Sequence, residues 1–365
     1  MKGKIEWGSI LEQTASVVKP ELKEYQPWGG GKMKTNVVAG GEKNKALSLI
    51  RFLSMLMIIS CHIMQYYDFV LAWWFNVGVQ IFLCISGFLY GQKDIGDAPD
   101  FYNKRLKKIL IPYYLVFIPF GIIEFIFARD VFSITDFALG MLLCSRLEGA
   151  EHLWFIPTIL MCYLITPLLQ GYRNTYVKGK KTIVMFTALG LAFTSVLIRG
   201  FTTFNPAWIC CYMIGYALGM NEKGKYLSEN VLMIIAGIFA IIGNTLQIYC
   251  DYIANIGFLG FGIIKSYNHV MLGIFIFLLL KTIFEKVNLN RIEMLLKLSD
   301  TYSFEVYLVH QLLILGPFSL LALTRCSIAN ISIILFCICI LAVVLKKVEE
   351  KFFVARFATA RLSRN

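Results

Sequence analysis

Long apolar runs separated by short charged clusters set the pattern of this chain. The runs fall at 46–67, 71–90, 109–128, 153–172, 182–198, 205–220, 231–250, 262–280, 302–321 and 327–345. Most come close to the roughly 20 residues that a helix needs to cross a hydrocarbon core about 30 Å thick. The pattern therefore predicts an all-α fold, a polytopic transmembrane bundle of about ten spans. The run at 205–220 is short and interrupted by Gly and Pro. The stretch 132–144 is apolar but too short to span, and reads as a partly buried or interfacial segment.

Three segments follow from this pattern. Residues 1–45 are polar, carry Gly-Gly runs and lack a helical period, so they are expected to form a disordered cytoplasmic tail. Residues 46–345 form the transmembrane domain, and 346–365 a basic cytoplasmic C-terminal tail. The first apolar run begins only near Ala46 and many follow it, so no signal peptide is evident. No internal repeat is visible, nor the inverted pair of broken helices that marks many secondary transporters.

Composition supports the membrane assignment. Charged residues make up 16% of the chain, against about 25% in soluble domains. Lys and Arg then orient it, because they concentrate in cytoplasmic loops. With ten spans both termini share a side, and the segments on that side hold 30 of the 35 basic residues. The other side keeps Arg129, Arg146, Arg199, Lys265 and Arg325. Both termini are thus expected in the cytoplasm. The net charge of +12 is a topology signal, and no basic stripe alternates with aromatics as nucleic-acid binding would need.

Candidate chemistry begins on the first span. Arg51 and His62 lie eleven residues apart in RFLSMLMIISCH. Eleven helical steps return to within roughly 20° of one direction, about 16 Å along the axis. Ionisable groups inside a span are costly, and are kept mainly where they line a cavity or do chemistry. Taken singly, Arg51 also fits a positive-inside anchor and His62 a hydrogen-bonded helix contact. The ten cysteines show no metal spacing, and most sit in apolar runs as small hydrophobes. No metal site is expected.

Five motifs in order carry a family resemblance over about residues 44 to 345. Arg51 and His62 match the Arg-x10-His motif of the acyltransferase-3 family of integral membrane acyltransferases. VGVQIFLCISGFLYG is similar to that family's second span through Gly78, Phe82, Ser86, Gly87 and Phe88. FYNKRLKKILIPYY resembles its basic loop ending in Pro-Tyr, with Lys104, Arg105, Lys108, Pro112 and Tyr113. HLWFIPTILMCYLITPLL resembles the start of its fourth span, and SFEVYLVH its late Ser-x-x-x-Tyr-Leu-x-His signature. The long polar N-terminal segment and the lack of an appended extracellular hydrolase-like domain are departures.

The resemblance implies acyl transfer from cytoplasmic acyl-CoA, usually acetyl-CoA, to a hydroxyl on an extracytoplasmic glycan. No permanently bound cofactor is implied; acyl-CoA is a co-substrate. His62 in the outer half of its span suits a general base, since desolvation favours the neutral imidazole. Arg51 at the cytoplasmic boundary suits a phosphate or the carbonyl-bearing arm of the donor. Lys104, Arg105 and Lys108 either dock the phosphates of coenzyme A or serve topology alone.

His152 and Trp154 stand on the outer side, beside Glu148 and Glu151. His152 is expected to bind acceptor hydroxyls, pair with a carboxylate or cap the interface. Glu305 is expected to pair with Arg51 or another cation near the inner boundary. His310, about 140° around the helix from Glu305, either takes part directly or packs the core around His62. Ser86 with Gly87 allows a close helix approach. A nucleophilic Ser86 or Cys61 lacks a visible orienting group, so direct transfer with His62 as base is preferred.

The expected protein is an O-acyltransferase of a bacterial inner membrane. Its acceptor is a cell-surface polysaccharide or its lipid-linked precursor, and polysaccharide assembly machinery is a possible partner besides the bilayer. Donor and acceptor then lie on opposite sides of the membrane, so the acyl-pantetheine arm is expected to thread between helices to His62. The alternatives are a transporter or flippase that couples protons through His62 and Arg51, and a structural scaffold.

Overall fold

The computed structural model describes residues 44–176, 206–220, 228–254 and 261–362. The expected tail before residue 44 and the expected span at 182–198 lie outside the described residues. Among the described residues every regular element is helical. In chain order these are α1 (Lys45–Tyr66), α2 (Ala72–Phe75), α3 (Gly78–Gly91), α4 (Ala98–Phe127), α5 (Ile134–Met141) and α6 (Phe155–Tyr176). They continue with α7 (Ile209–Met220), α8 (Glu229–Ile248), α9 (Phe261–Phe284), α10 (Glu293–Ile314) and α11 (Ser327–Leu362). Tight 3-10 turns at Glu151–Trp154 and Pro206–Trp208 lead into α6 and α7.

Among the described residues, seven helical segments are long and apolar enough to cross a membrane. The short apolar α7 and the more charged α10 account for two further expected runs. Three helices differ from expectation in their ends. The helix α4 begins at Ala98, with Pro99 and Asp100 in its first turn, so the basic cluster expected in a loop is helical. The helix α10 begins at Glu293 and stops at Ile314, earlier at both ends than the run 302–321. Leu315 is extended there and Gly316 has φ +78°, which cannot continue a helix. The helix α11 does not stop near 345 but continues to Leu362.

Helix packing follows the glycines. Among the described helices the pair α3–α7 makes the most extensive contact. Gly87 and Gly91 on α3 lie against the carbonyls of Tyr212 and Tyr216, while Gly215 and Gly219 on α7 lie against those of Cys84 and Phe88. A Cβ at any of the four would collide with backbone, so two interlocking Gly-x-x-x-Gly stretches set the spacing. Ser86 and Gly87 thus sit at a close helix approach, as expected.

Elsewhere apolar side chains turn outward, as on α8, where Ile234, Phe239 and Ile241 are exposed. Polar ones turn inward: Gln80, Glu124, His152, His269, Glu305 and His310 are all buried. This inversion suits a lipid solvent, where buried polar groups mark working regions. The interfacial segment becomes α5, held to α4 by the hydroxyls of Tyr113 and Tyr114, which donate to the carbonyls of Gly140 (2.7 Å) and Met141 (2.9 Å).

Candidate functional site

A cavity of ≈ 440 Å³ opens between α1, α3, α4, α6, α10 and α11. Five basic side chains line it (Arg51, Lys93, Arg105, Lys108 and Lys346) against three carboxylates, Asp300, Glu305 and Glu349. Its excess of positive charge favours an anion.

Six of these charged groups are held by neighbours. Arg51 Nη1 donates to Asp300 Oδ1, and Ser48 Oγ donates to the other carboxylate oxygen at 2.7 Å. Lys346 Nζ bridges Glu305 at 2.9 Å and Glu349 at 3.2 Å. The expected partner of Glu305 at the inner boundary is therefore Lys346 and not Arg51. The Arg105 guanidinium lies 5.2 Å from the ring centroid of Tyr90 and 5.7 Å from that of Phe101. Such aromatic faces fix a planar cation while leaving N–H groups for an anion. Lys104 turns away from the cavity and pairs with Asp100 at 2.6 Å on the exposed face of α4. Ser86 lines the cavity wall.

The opposite end of the cavity closes on Ile58, Phe155 and Tyr307. Beyond it lie three of the chain's four histidines. The His310 ring is centred 5.1 Å from His62 and 5.0 Å from His152. Tyr307 joins cavity and cluster, since it lines the first and stands 5.5 Å from the rings of both His152 and His310. The continuous helix α1 carries Arg51 at the charged end and His62 in the cluster, as their spacing implied.

Local bonds fix the tautomer of each ring, because a carbonyl or amide oxygen only accepts. His62 Nδ1 donates to Gln65 Oε1 at 2.6 Å, leaving Nε2 with its lone pair. His310 Nδ1 donates to the Tyr307 carbonyl at 2.6 Å, and its Nε2 is buried without a partner. His152 Nε2 donates to the Leu308 carbonyl at 3.0 Å, and its Nδ1 is buried without a partner. His152 is therefore not paired with a carboxylate and does not cap an exposed interface, being 2% exposed.

The turn that carries His152 is clamped to α10. The Tyr307 hydroxyl donates to the His152 carbonyl, the His152 N–H donates to Gln311 Oε1 at 3.1 Å, and Gln311 Nε2 donates to Glu151 at 2.5 Å. Gly149 and Gly316, both with φ +78°, let the two flanking turns cross. A Cβ at Gly149 would lie 3.1 Å from Gly316 Cα.

A second buried polar group adjoins Trp154. The Trp154 ring meets Trp208 at 4.7 Å, Trp208 faces His269 at 6.4 Å, and His269 stacks on Trp73 at 4.0 Å. Trp73 and Trp74 donate to Gln247 (3.3 Å) and Asn244 (2.8 Å), and Asn268 donates to both amides. Lys265 Nζ sits 4.3 Å from the Trp73 ring.

Sequence reasoning singled out Trp154 but not the rest of this group, met Tyr307 only as the Tyr of the late signature, and did not single out Asp300 or Lys346 as site residues. A signal existed on α10, where Asp300, Ser303, Tyr307 and His310 recur at helical spacing and so share one face. Nothing comparable marked Lys346, which looks like any basic residue at a span end.

Comparison with known proteins agrees with the motif pattern. A family model described as an acyltransferase domain, that of the acyltransferase-3 family, matches residues 44–346. No curated protein and no solved structure matches the chain.

Proposed function

Because the chain belongs to the acyltransferase-3 family, we propose that it moves an acyl group, an acetyl in the first instance, from cytoplasmic acyl-CoA to a hydroxyl of a cell-surface polysaccharide or its lipid-linked precursor. The observation that carries this reading is one cavity with two chemically different ends. Basic side chains line one end, and the other closes on the histidine cluster.

The phosphates of the donor lie against Arg51, Lys93, Arg105 and Lys108 in this reading, since clustered donors favour phosphate oxygens. The volume falls within the range of about 300–1,000 Å³ common for small-molecule sites. The pantetheine arm then points along the cavity toward Tyr307 and His62. The acceptor comes from the opposite face, past Trp154 and the ring-and-amide group around Trp73, whose apolar faces and amides suit a sugar.

His62 Nε2 accepts the proton of the acceptor hydroxyl while that oxygen bonds to the thioester carbonyl carbon. The carbon–sulfur bond breaks, its electrons stay on sulfur, and the thiolate recovers the proton. Gln65 supports the step by holding the Nδ1 proton of His62. Transfer is direct, with no acyl-enzyme, and the proposed setting is a bacterial inner membrane.

Membranes containing the native chain or His62→Ala at equal levels, supplied with radiolabelled acetyl-CoA, test the proposal. Label on the surface glycan with the native chain alone supports it. No labelled glycan with either chain overturns it, and passage of glycan across the bilayer without acyl-CoA would point to transport.

A further inference from the structure

We infer that Ile58, Phe155 and Tyr307 form an acyl-length filter, which makes the donor a short-chain acyl-CoA, with acetyl preferred over butyryl and longer groups. This inference rests on the acyltransferase reading above and names the class of acyl group that the same site accepts.

The filter is a layer one turn away from the histidines. Ile58 precedes His62 by four residues on α1, and Tyr307 precedes His310 by three on α10. Each therefore shares a helix face with a clustered ring. Phe155 follows His152 by three residues, where the 3-10 turn enters α6. The rise along α1 from Ile58 to His62 is about 6 Å. All three residues line the end of the cavity, and all three are buried.

The layer is tightly packed. Ile58 lies so close to α3 that a Cβ added at Gly78 would come within 2.9 Å of its Cγ1. The rings of Phe155 and Tyr307 meet edge to face, with centroids 5.1 Å apart. The Tyr307 hydroxyl donates to the His152 carbonyl, so this ring swings aside only by giving up that bond.

A donor held by its phosphates at the basic end presents its acyl group first. The thioester carbonyl has to come up to His62, so the acyl carbons meet the layer ahead of it. Each methylene beyond acetyl needs room among side chains that already fill the space, and close-packed interiors yield little. Past the layer stand His310 Nε2 and His152 Nδ1, both buried without a partner. An alkyl chain cannot satisfy either nitrogen. A longer chain is thus opposed within the layer and again beyond it. One methylene in an apolar pocket is worth about 10- to 200-fold in discrimination.

The test compares kcat/KM for acetyl-, propionyl-, butyryl- and hexanoyl-CoA with isolated surface glycan, using the full chain in proteoliposomes. The native chain should favour acetyl over butyryl by about 100-fold or more, two methylenes at the low end of that range. Ile58→Val and Phe155→Leu each remove volume from the layer and keep an apolar side chain, so both are expected to insert. Each should lower the acetyl-to-butyryl ratio by about tenfold. A substitution that only loosened the structure would slow both donors alike and leave the ratio where it was. Native transfer of butyryl or hexanoyl as efficient as that of acetyl overturns the filter, and so does a native ratio in both variants. A native chain that transfers no acyl group from any of the four donors overturns the acyltransferase reading itself.

Discussion

Arg51 on α1 is paired with Asp300 on α10, and the two close the charged end of a cavity whose other end lies below His62 and His310. The pair joins the helices that carry two of the three clustered histidines. Asp300 has a side chain only 4% exposed, and both Arg51 and Ser48 donate to its carboxylate. Removing one partner of such a pair leaves a charge in a poor solvent, at a cost of about 3–5 kcal/mol when burial is complete. Asp300→Ala is therefore expected to lower the melting temperature in detergent. Arg51→Lys is expected to keep the fold but raise the KM for acyl-CoA about tenfold, because an ammonium lacks the planar fork. Thermal unfolding and donor kinetics check the two effects separately.

Lys104 and Arg105 are adjacent in sequence and opposite in environment. Lys104→Ala should leave acyl-CoA affinity unchanged, since its ion pair with Asp100 is exposed and weak. Arg105→Ala should weaken donor binding about tenfold or more, by loss of a charge-assisted contact worth about 1.5–3 kcal/mol. Equal effects of the two substitutions on acyl-CoA titrations would contradict the assigned cavity wall.

His62→Ala is expected to reduce kcat by about 100- to 10,000-fold, the range of a lost general base. Gln65→Ala, which frees the His62 tautomer without removing the ring, should give a smaller loss in kcat and no change in donor affinity. A single-turnover assay at saturating acyl-CoA measures both.

Outside the spans, Asp94 offers a pH test. Its carboxyl is held below the usual carboxylate range by the Gly96 N–H at 2.9 Å and then by Gln170 Nε2 at 2.7 Å. A pKa lower in the folded state than in the unfolded one gives stabilisation that is present above the unfolded value. That stabilisation is lost as pH falls through the folded value. Acidification below about pH 4 should therefore lower the protection factors of the Gly96 and Ile95 amides relative to intrinsic exchange, the latter amide being bonded to Gln170 Oε1 at 2.8 Å. Asp94→Asn should show lower protection factors at neutral pH, and these should change less on acidification.

Gly87→Val should prevent stable insertion or strongly lower the melting temperature, because a side chain there meets the Tyr212 backbone, which cannot withdraw. The same substitution at Gly171, where an added Cβ would meet no atom within 4 Å, should be tolerated. Size-exclusion profiles of the two variants decide it.

The parts legible in the sequence are those with a local period. Arg51 and His62 fall on one helix at a spacing that fixes their shared face, and long apolar runs announce their own helices. Partners that meet across helices leave no such mark. Asp300 reads as a charge near a span end until α10 brings it to Arg51. Lys346 reads as a positive-inside residue until α11 carries it to Glu305. Lys104 fails in the other sense, because residues adjacent on a helix point about 100° apart and a basic cluster cannot all face one cavity. The histidine cluster was partly legible, with all three members marked. Their meeting depended on the crossing of the turns at Gly149 and Gly316, which no spacing reveals.

The uninterrupted course of α11 has a mechanical consequence. Lys346 and Glu349 in the cavity wall and the last turn at Leu362 belong to one rod, with about 24 Å between Lys346 and its end. A stiff rod transmits torque, so twisting or tilting its far end displaces the two side chains that face Glu305. A grip on that far end would therefore act as a lever on the charged wall.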